Sequence, residues 1–151
     1  MLQVGDRMPE FVLRNSKREK VTNEDLSGQV SVVAFYPMSF TGGCTLEMRG
    51  FNRIVPDLTE LGATVVGVSA DTWATQGAFE QAEGLEFPLL SDWPKYEASA
   101  SFDVQAESGP TTKRVTYVFD AEGIVRAVID DERDMEAHSA GALAAVRDLT
   151  R

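Results

Sequence analysis

Cys44 is the only cysteine in the 151 residues, and it lies in the segment Phe35-Tyr36-Pro37-Met38-Ser39-Phe40-Thr41-Gly42-Gly43-Cys44-Thr45-Leu46-Glu47, where an apolar, strand-like run gives way to a helical pattern. A thiol at a helix N-terminus faces unpaired backbone N–H groups and the positive end of the helix dipole, and both favour the thiolate, which is the reactive form. An ordinary thiol with a pKa of about 8.5 is only a few per cent ionised at neutral pH, whereas a pKa of about 6 makes it about 90% thiolate. The difference corresponds to roughly 3 kcal/mol. Proline fixes its own φ and disfavours helical geometry in the residue before it, so Tyr36-Pro37 ends the strand. Gly42-Gly43 is expected to let the backbone bend tightly beside the sulfur.

The elements that must hold this corner follow from the hydrophobic pattern. Val30 to Tyr36 is a short apolar run suited to a buried central strand, and Thr64 to Val68 repeats the type. Between them, Thr45 to Leu61 carries Leu46, Phe51, Ile54, Val55, Leu58 and Leu61 at helical spacing; Pro56 should bend or break this helix, and Gly62 should cap it. Asp71-Thr72 reads as the N-cap of a helix running to about Glu83 and stopped by Gly84. Phe87 to Leu90 reads as a strand, Pro94 to Ala100 as a brief helix, and Arg114 to Asp120 with Ile124 to Ile129 as a hairpin turning at Ala121-Glu122-Gly123. Met135 to Leu149 forms a last helix with Ala140, Leu143, Val146 and Leu149 on one side. Before all of these, Phe11-Val12-Leu13 and Val21 flank a charged turn and read as an added hairpin, and Asn23 to Gly28 as a capped turn. This order predicts an α/β protein of thioredoxin-like topology: a mixed central sheet flanked by helices, with an N-terminal β-hairpin extension. Residues 1–151 are expected to form one domain, since the length suits a single compact core and no linker or repeat divides it.

The composition excludes several classes. With 24 acidic against 14 basic residues the net charge is −10, which repels nucleic acid and anionic membrane surfaces. The N-terminal segment lacks the apolar region of a secretory signal and no run is long enough to cross a bilayer, so a soluble cytoplasmic protein is expected. A single unpaired cysteine agrees with a reducing compartment.

The motif Pro37-x-x-x-Thr41-x-x-Cys44, with its flanks Phe35-Tyr36-Pro37 and Thr45-Leu46-Glu47, resembles the active site of the peroxiredoxins. The resemblance extends through Val66-Gly67-Val68-Ser69-Ala70-Asp71, Phe87-Pro88-Leu89-Leu90-Ser91-Asp92 and Arg114 to Asp120 followed by Gly123-Ile124-Val125, four matches in one order. It implies a thiol-dependent peroxidase acting on hydrogen peroxide or organic hydroperoxides. Cys44 attacks the O–O bond and becomes a sulfenic acid, which another thiol reduces. It also implies that Thr41 hydrogen-bonds the thiolate and the peroxide and that Pro37 shields and shapes the pocket. Arg114 would stabilise negative charge, and Glu47 would orient Arg114. Glu47 can play this part only if the positive charge lies nearer the sulfur than its own carboxylate does.

Plainer readings stand beside these. A lone cysteine is commonly a small buried hydrophobe, Thr41 reads also as a cap, and Pro37 also as a strand terminator. Arg114, next to Lys113, reads also as a solvated edge charge, and Glu47 as a first-turn carboxylate favoured by the helix dipole. His138, between Ala137 and Ser139, is expected on a solvated helix face. Trp73 and Trp93 are expected to serve packing or an interface. One cysteine and one histidine far apart give no metal-ligand spacing, and there is no phosphate-binding glycine loop, so neither metal nor nucleotide cofactor is implied.

Where the resembled family's two-cysteine members carry a resolving thiol, one variant places it five residues after the first; Arg49 stands there in this chain. No extension after Leu149 offers another. A one-cysteine cycle is therefore expected, with an external reductant: a low-molecular-weight thiol or a thioredoxin-like or glutaredoxin-like protein. A homodimer is also expected from the resemblance. A dithiol–disulfide oxidoreductase of the same fold is excluded, because its second cysteine would stand where Thr41 does. The remaining rival is a non-catalytic binding or holdase module.

Overall fold

The computed structural model describes residues 1–151. Its seven strands form one mixed sheet, and each face of that sheet carries its own apolar cluster. The strands are β1 (Val12–Asn15), β2 (Lys20–Thr22), β3 (Ser31–Phe35), β4 (Thr64–Ser69), β5 (Leu89–Ser91), β6 (Val115–Phe119) and β7 (Val125–Ile129); the helices are α1 (Gly42–Glu60), α2 (Trp73–Glu83), α3 (Glu97–Ser101) and α4 (Met135–Leu149). The spatial order is β2-β1-β5-β4-β3-β6-β7. The β3–β4 and β4–β5 pairs are parallel, while the β3–β6 and β6–β7 pairs on one side and the β5–β1 and β1–β2 pairs on the other are antiparallel. The thioredoxin-like order expected from the sequence is the one observed. The N-terminal hairpin extends the same sheet, because β1 also pairs with β5.

Side chains alternate along a strand, so each central strand feeds both faces. From β3, Val33 and Phe35 enter a cluster with Phe102, Tyr117 and Phe119. Val32, Ala34 and Tyr36 enter the opposite cluster, which holds Cys44, Met48 and Phe51 of α1 with Ala142 and Val146 of α4. β3 is buried throughout, as its unbroken apolar run requires.

Three local expectations are corrected. Pro56 does not break α1, which continues to Glu60 and is followed by Gly62 at φ +75°. Proline forfeits one N–H donor and its ring crowds the carbonyl one turn earlier, but burial of Met48, Phe51 and Leu58 along one face holds the helix on both sides of it. Leu46 is exposed, and the inward positions of the first two turns are taken by Cys44, Glu47 and Met48. In α4 the buried positions are His138, Ser139, Ala142 and Val146; Val146 is inward as expected and Leu143 and Leu149 pack against the core, but Ala140 faces solvent. The expected caps of α2 are observed: Thr72 accepts from the Thr75 N–H, and Gly84 takes the left-handed conformation at φ +61°.

The layer spacing depends on Gly67 in β4. A Cβ there would lie 2.7 Å from Leu89 Cδ2, 3.4 Å from Tyr36 Cε1 and 3.5 Å from Met48 Sδ, so this glycine lets β4, β5 and α1 close up beneath the site. Gly67→Ala is expected to destabilise the protein by about 1–3 kcal/mol through overpacking, read as a lower urea midpoint at unchanged m-value. An unchanged midpoint would show that Leu89 yields freely.

Candidate active site

The register of the sheet brings the chemical groups together. β3 and β6 are antiparallel with Phe35 opposite Val115, so Arg114, one residue before β6, lies beside the corner that follows Phe35. Val115, Tyr117 and Phe119 point into one cluster and Val118 into the other. By the same alternation, Arg114 and Thr116 face α1 and α4. α1 begins immediately after the corner, so its first turn offers Cys44 and Glu47 to that face, and α4 supplies His138.

The corner is held from several sides. The Tyr36 N–H donates to the Val68 carbonyl, and Thr112 Oγ1 donates to the Tyr36 carbonyl at 2.8 Å. Asp71 Oδ2 accepts from the Ser39 N–H, Ser39 Oγ and Ser69 Oγ at 2.7–2.8 Å. The left-handed residue of the bend is Phe40, at φ +68°, and not either glycine. Its exposed ring packs on Phe79 with centroids 5.1 Å apart. Gly42 and Gly43 are already the first residues of α1. Gly43 serves close approach, since a Cβ there would lie 3.2 Å from Arg114 Nη2.

Cys44 Sγ accepts from Arg114 Nη1 at 3.3 Å, and the same nitrogen donates to Glu47 Oε1 at 2.8 Å. Burial opposes the charge on Arg114, but its hydrogen bonds and attraction to Cys44 and Glu47 outweigh this and hold its pKa above the ordinary guanidinium value. Glu132 clamps the same residue from outside, accepting from the Arg114 N–H at 3.0 Å with its other oxygen 3.9 Å from Nε. Pro37 is half-buried at the corner. Thr41 is the exposed N-cap of α1, and its hydroxyl donates to the Met38 carbonyl at 2.8 Å. The hydrogen bond from Thr41 to sulfur expected from the sequence is not formed in this state. Nor is sulfur at an open pocket: Cys44 is 0% exposed and lines none of the principal cavities.

His138 corrects the expectation of a solvated position, being fully buried. Its Nε2 lies 2.6 Å from the Asp131 carbonyl, which can only accept, so Nε2 carries the proton. Burial first, and then the nearby Arg114 charge, push its pKa below the ordinary imidazole value, so the ring is neutral and Nδ1 accepts from Thr116 Oγ1 at 2.8 Å. Nδ1 also stands 3.5 Å from Glu47 Oε2, a buried oxygen with no hydrogen-bond donor. Burial raises the Glu47 pKa from 4.5 to about 7, against the lowering effect of Arg114. Burial thus favours the neutral acid, while the Arg114 guanidinium favours the ion pair. The sequence does carry a sign of His138: the spacing His138, Ala142, Val146 continues a helical stripe, on the face that Arg114 and Thr116 share.

A group whose folded pKa is raised binds its proton more tightly in the folded state. Both states are protonated below pH 4.5, and stability is lost as pH rises from there until the folded carboxyl ionises near 7. Relative to Glu47→Gln, which does not titrate, the wild type should lose about 2–3 kcal/mol between pH 4.5 and pH 8, measured by urea unfolding at both pH values. A difference constant with pH would mean that the Glu47 pKa is unchanged by folding.

Residues 4–128 match the AhpC/TSA family. The chain is 32% identical over 143 residues to peroxiredoxin Bcp of Escherichia coli K12, covering 91% of each protein. It is 36% identical over 128 residues to a putative peroxiredoxin of Mycobacterium tuberculosis H37Rv, covering 81% of each. Among solved structures it resembles peroxidoxin BcpB of M. tuberculosis, with a TM-score of 0.92, 32% identity and 100% of each chain covered. It also resembles peroxiredoxin Q of Xanthomonas campestris, with a TM-score of 0.85, 27% identity and 93% and 92% covered. A helix-borne thiol under a buried guanidinium and the match of both sequence and fold over most of the chain lead to one conclusion: this protein belongs to the AhpC/TSA family, the peroxiredoxins.

Proposed function

We propose that Cys44 is the nucleophile of a thiol-dependent peroxidase, with Arg114, Thr41, Pro37 and Glu47 as its supporting residues. The observation that carries this reading is the 3.3 Å contact of Arg114 Nη1 with Cys44 Sγ. The guanidinium favours negative charge on sulfur and then on the oxygen that leaves. The thiolate attacks one peroxide oxygen and forms the S–O bond while the O–O bond breaks. The departing oxygen takes a proton to become water or an alcohol, and Cys44 becomes a sulfenic acid.

Thr41 guides the peroxide once its hydroxyl turns from the Met38 carbonyl, and Pro37 keeps the corner free of a competing N–H donor. Glu47 orients Arg114. Since Cys44 is covered, the Pro37–Thr41 corner or the first turn of α1 shifts to admit the substrate.

The second half of the cycle needs thiol from outside, because Cys44 has no partner in the chain. A thiol attacks the sulfenic sulfur and releases water to leave a mixed disulfide, and a second thiol restores Cys44. A low-molecular-weight thiol or a thioredoxin-like or glutaredoxin-like protein fits this role. We place the protein in the cytoplasm, in keeping with a thiol-rich compartment. A homodimer would cover the exposed Met38, Phe40 and Leu46 that flank Cys44, and sedimentation showing only monomer at high concentration would count against it.

The test is stopped-flow mixing with one equivalent of hydrogen peroxide and no reductant. Rapid consumption, with loss of the free thiol and gain of one oxygen atom on Cys44 by mass spectrometry, is the expected result. A slow rate typical of free cysteine would leave a binding module as the better reading.

A further inference from the structure

Both tryptophans of the chain, 20 positions apart in sequence, line one cavity of about 430 Å³ that none of the chemistry above uses; Arg14, Arg18, Ser91 and Pro94 complete it. We propose that this cavity binds a planar aromatic phosphate ester, with its ring against the Trp93 indole and its phosphate on Arg14 and Arg18.

The floor of the cavity is the junction of β1 and β5, where Arg14 pairs with Ser91. One wall is the β1–β2 turn, and the other is made by Trp73 at the start of α2 and Trp93 just after β5. The backbone N–H of Trp93 donates to Ser91 Oγ, and 46% of Trp93 is exposed, leaving a large flat apolar surface in water. From the β1–β2 turn the Arg18 guanidinium reaches over the Trp73 ring, 4.8 Å from its centroid. Such stacking fixes the plane of the cation and leaves its N–H edge free for an anion. Arg14 Nη1 donates to the Arg18 carbonyl at 3.1 Å and so ties the two arginines into one turn. Arg18 holds that turn at φ +65°, a conformation unfavourable for a side chain of its size.

The charge arrangement is unusual for this molecule. The chain has ten more acidic than basic residues, yet Arg14, Lys17, Arg18 and Lys20 fall within seven positions against one acid, Glu19. Neither Arg14 nor Arg18 forms an ion pair with any carboxylate; Arg7, Arg133 and Arg147 form none either, but Arg14 and Arg18 are the two that line one cavity together. Two free guanidinium groups call for a doubly charged anion. A phosphate accepts paired N–H donors from planar forks, whereas one carboxylate supplies a single negative charge. The exposed indole calls for a flat apolar body attached to that anion, and the volume suits a ligand of mononucleotide size. The site is built from side chains and needs no glycine-rich loop.

Because the cavity holds every tryptophan in the protein, intrinsic indole fluorescence reports on it directly. Titration is done on the full chain, excited at the red edge of the indole band, with adenosine 5′-diphosphate, adenosine, pyrophosphate and benzoate, a planar aromatic carboxylate transparent at that wavelength, as probes. The diphosphate should give a saturable change, half complete below about 1 mM. Adenosine and pyrophosphate should each bind about tenfold more weakly, and benzoate more weakly than the diphosphate. Arg14→Gln and Arg18→Gln should each weaken the diphosphate about tenfold while leaving peroxide consumption unchanged, which shows that the variants are folded. Trp93→Phe should keep the Trp73 signal and weaken binding by a smaller factor. The proposal is overturned if the diphosphate does not saturate, or if adenosine alone binds equally well. It is equally overturned if pyrophosphate matches the diphosphate, if benzoate binds more tightly, or if neither arginine substitution changes the titration.

Discussion

Cys44→Ser should reduce peroxide consumption to the background rate, a loss of about 10⁴-fold or more in kcat/KM, of the size seen when an enzyme loses its nucleophile. The serine hydroxyl is essentially un-ionised at neutral pH and its oxygen is a poor nucleophile toward a peroxide, so the loss falls on chemistry alone. The substitution nearly preserves volume in the cluster of Met48, Phe51 and Ala142, and Arg114 keeps an acceptor in place of Sγ. Thermal unfolding should therefore move little while stopped-flow activity disappears. A serine protein that retained its rate would remove Cys44 from the chemistry.

Arg114→Ala should lower kcat/KM by about 10²–10³-fold, the scale of losing one preorganised charged donor at the reacting atoms. It should also destabilise the fold. Glu47 would be left fully buried without its counter-charge, a change that typically costs about 3–5 kcal/mol. Here the loss should fall at the low end at neutral pH, because the Glu47 pKa is already raised to about 7 and the lone carboxyl escapes its penalty by taking a proton. The two effects separate in a second variant. Arg114→Met combined with Glu47→Met removes both charges together, and it should recover stability in urea unfolding without recovering turnover. If the double variant regained the peroxidase rate, the guanidinium would be a structural element only.

Much of this arrangement can be read from the chain. The run at residues 30–36, the Tyr36-Pro37 stop and the helix beginning near Cys44 are local signals, and they place the thiol correctly at a helix start. What was not legible depends on contacts between distant segments. His138 has polar neighbours in sequence and reads as solvated, yet it is buried because α4 crosses the sheet where β6 supplies Thr116 and the loop before α4 supplies the Asp131 carbonyl. Glu132 could not be singled out in the acidic run before α4 until the fold brought it to the Arg114 backbone. Leu46 looked like core because helical spacing leaves the phase of a stripe open; only packing decided that Cys44, Glu47 and Met48 would face inward. Glycine tolerates positive φ most readily, so the sequence points to Gly42-Gly43 for the bend, but Phe40 takes that conformation, its ring held against Phe79.

The antiparallel pairing of Phe35 with Val115 makes the guanidinium's position a matter of reading frame in space. One residue inserted between Val115 and Phe119, with the rest of the strand held in its pairing, would rotate position 114 to the aromatic side of the sheet and leave the sulfur without its cation. The same insertion at residues 106–110, upstream of the strand, would lengthen only a surface connection. Length variation should thus be absorbed before the strand and rejected within it, whatever amino acid is added.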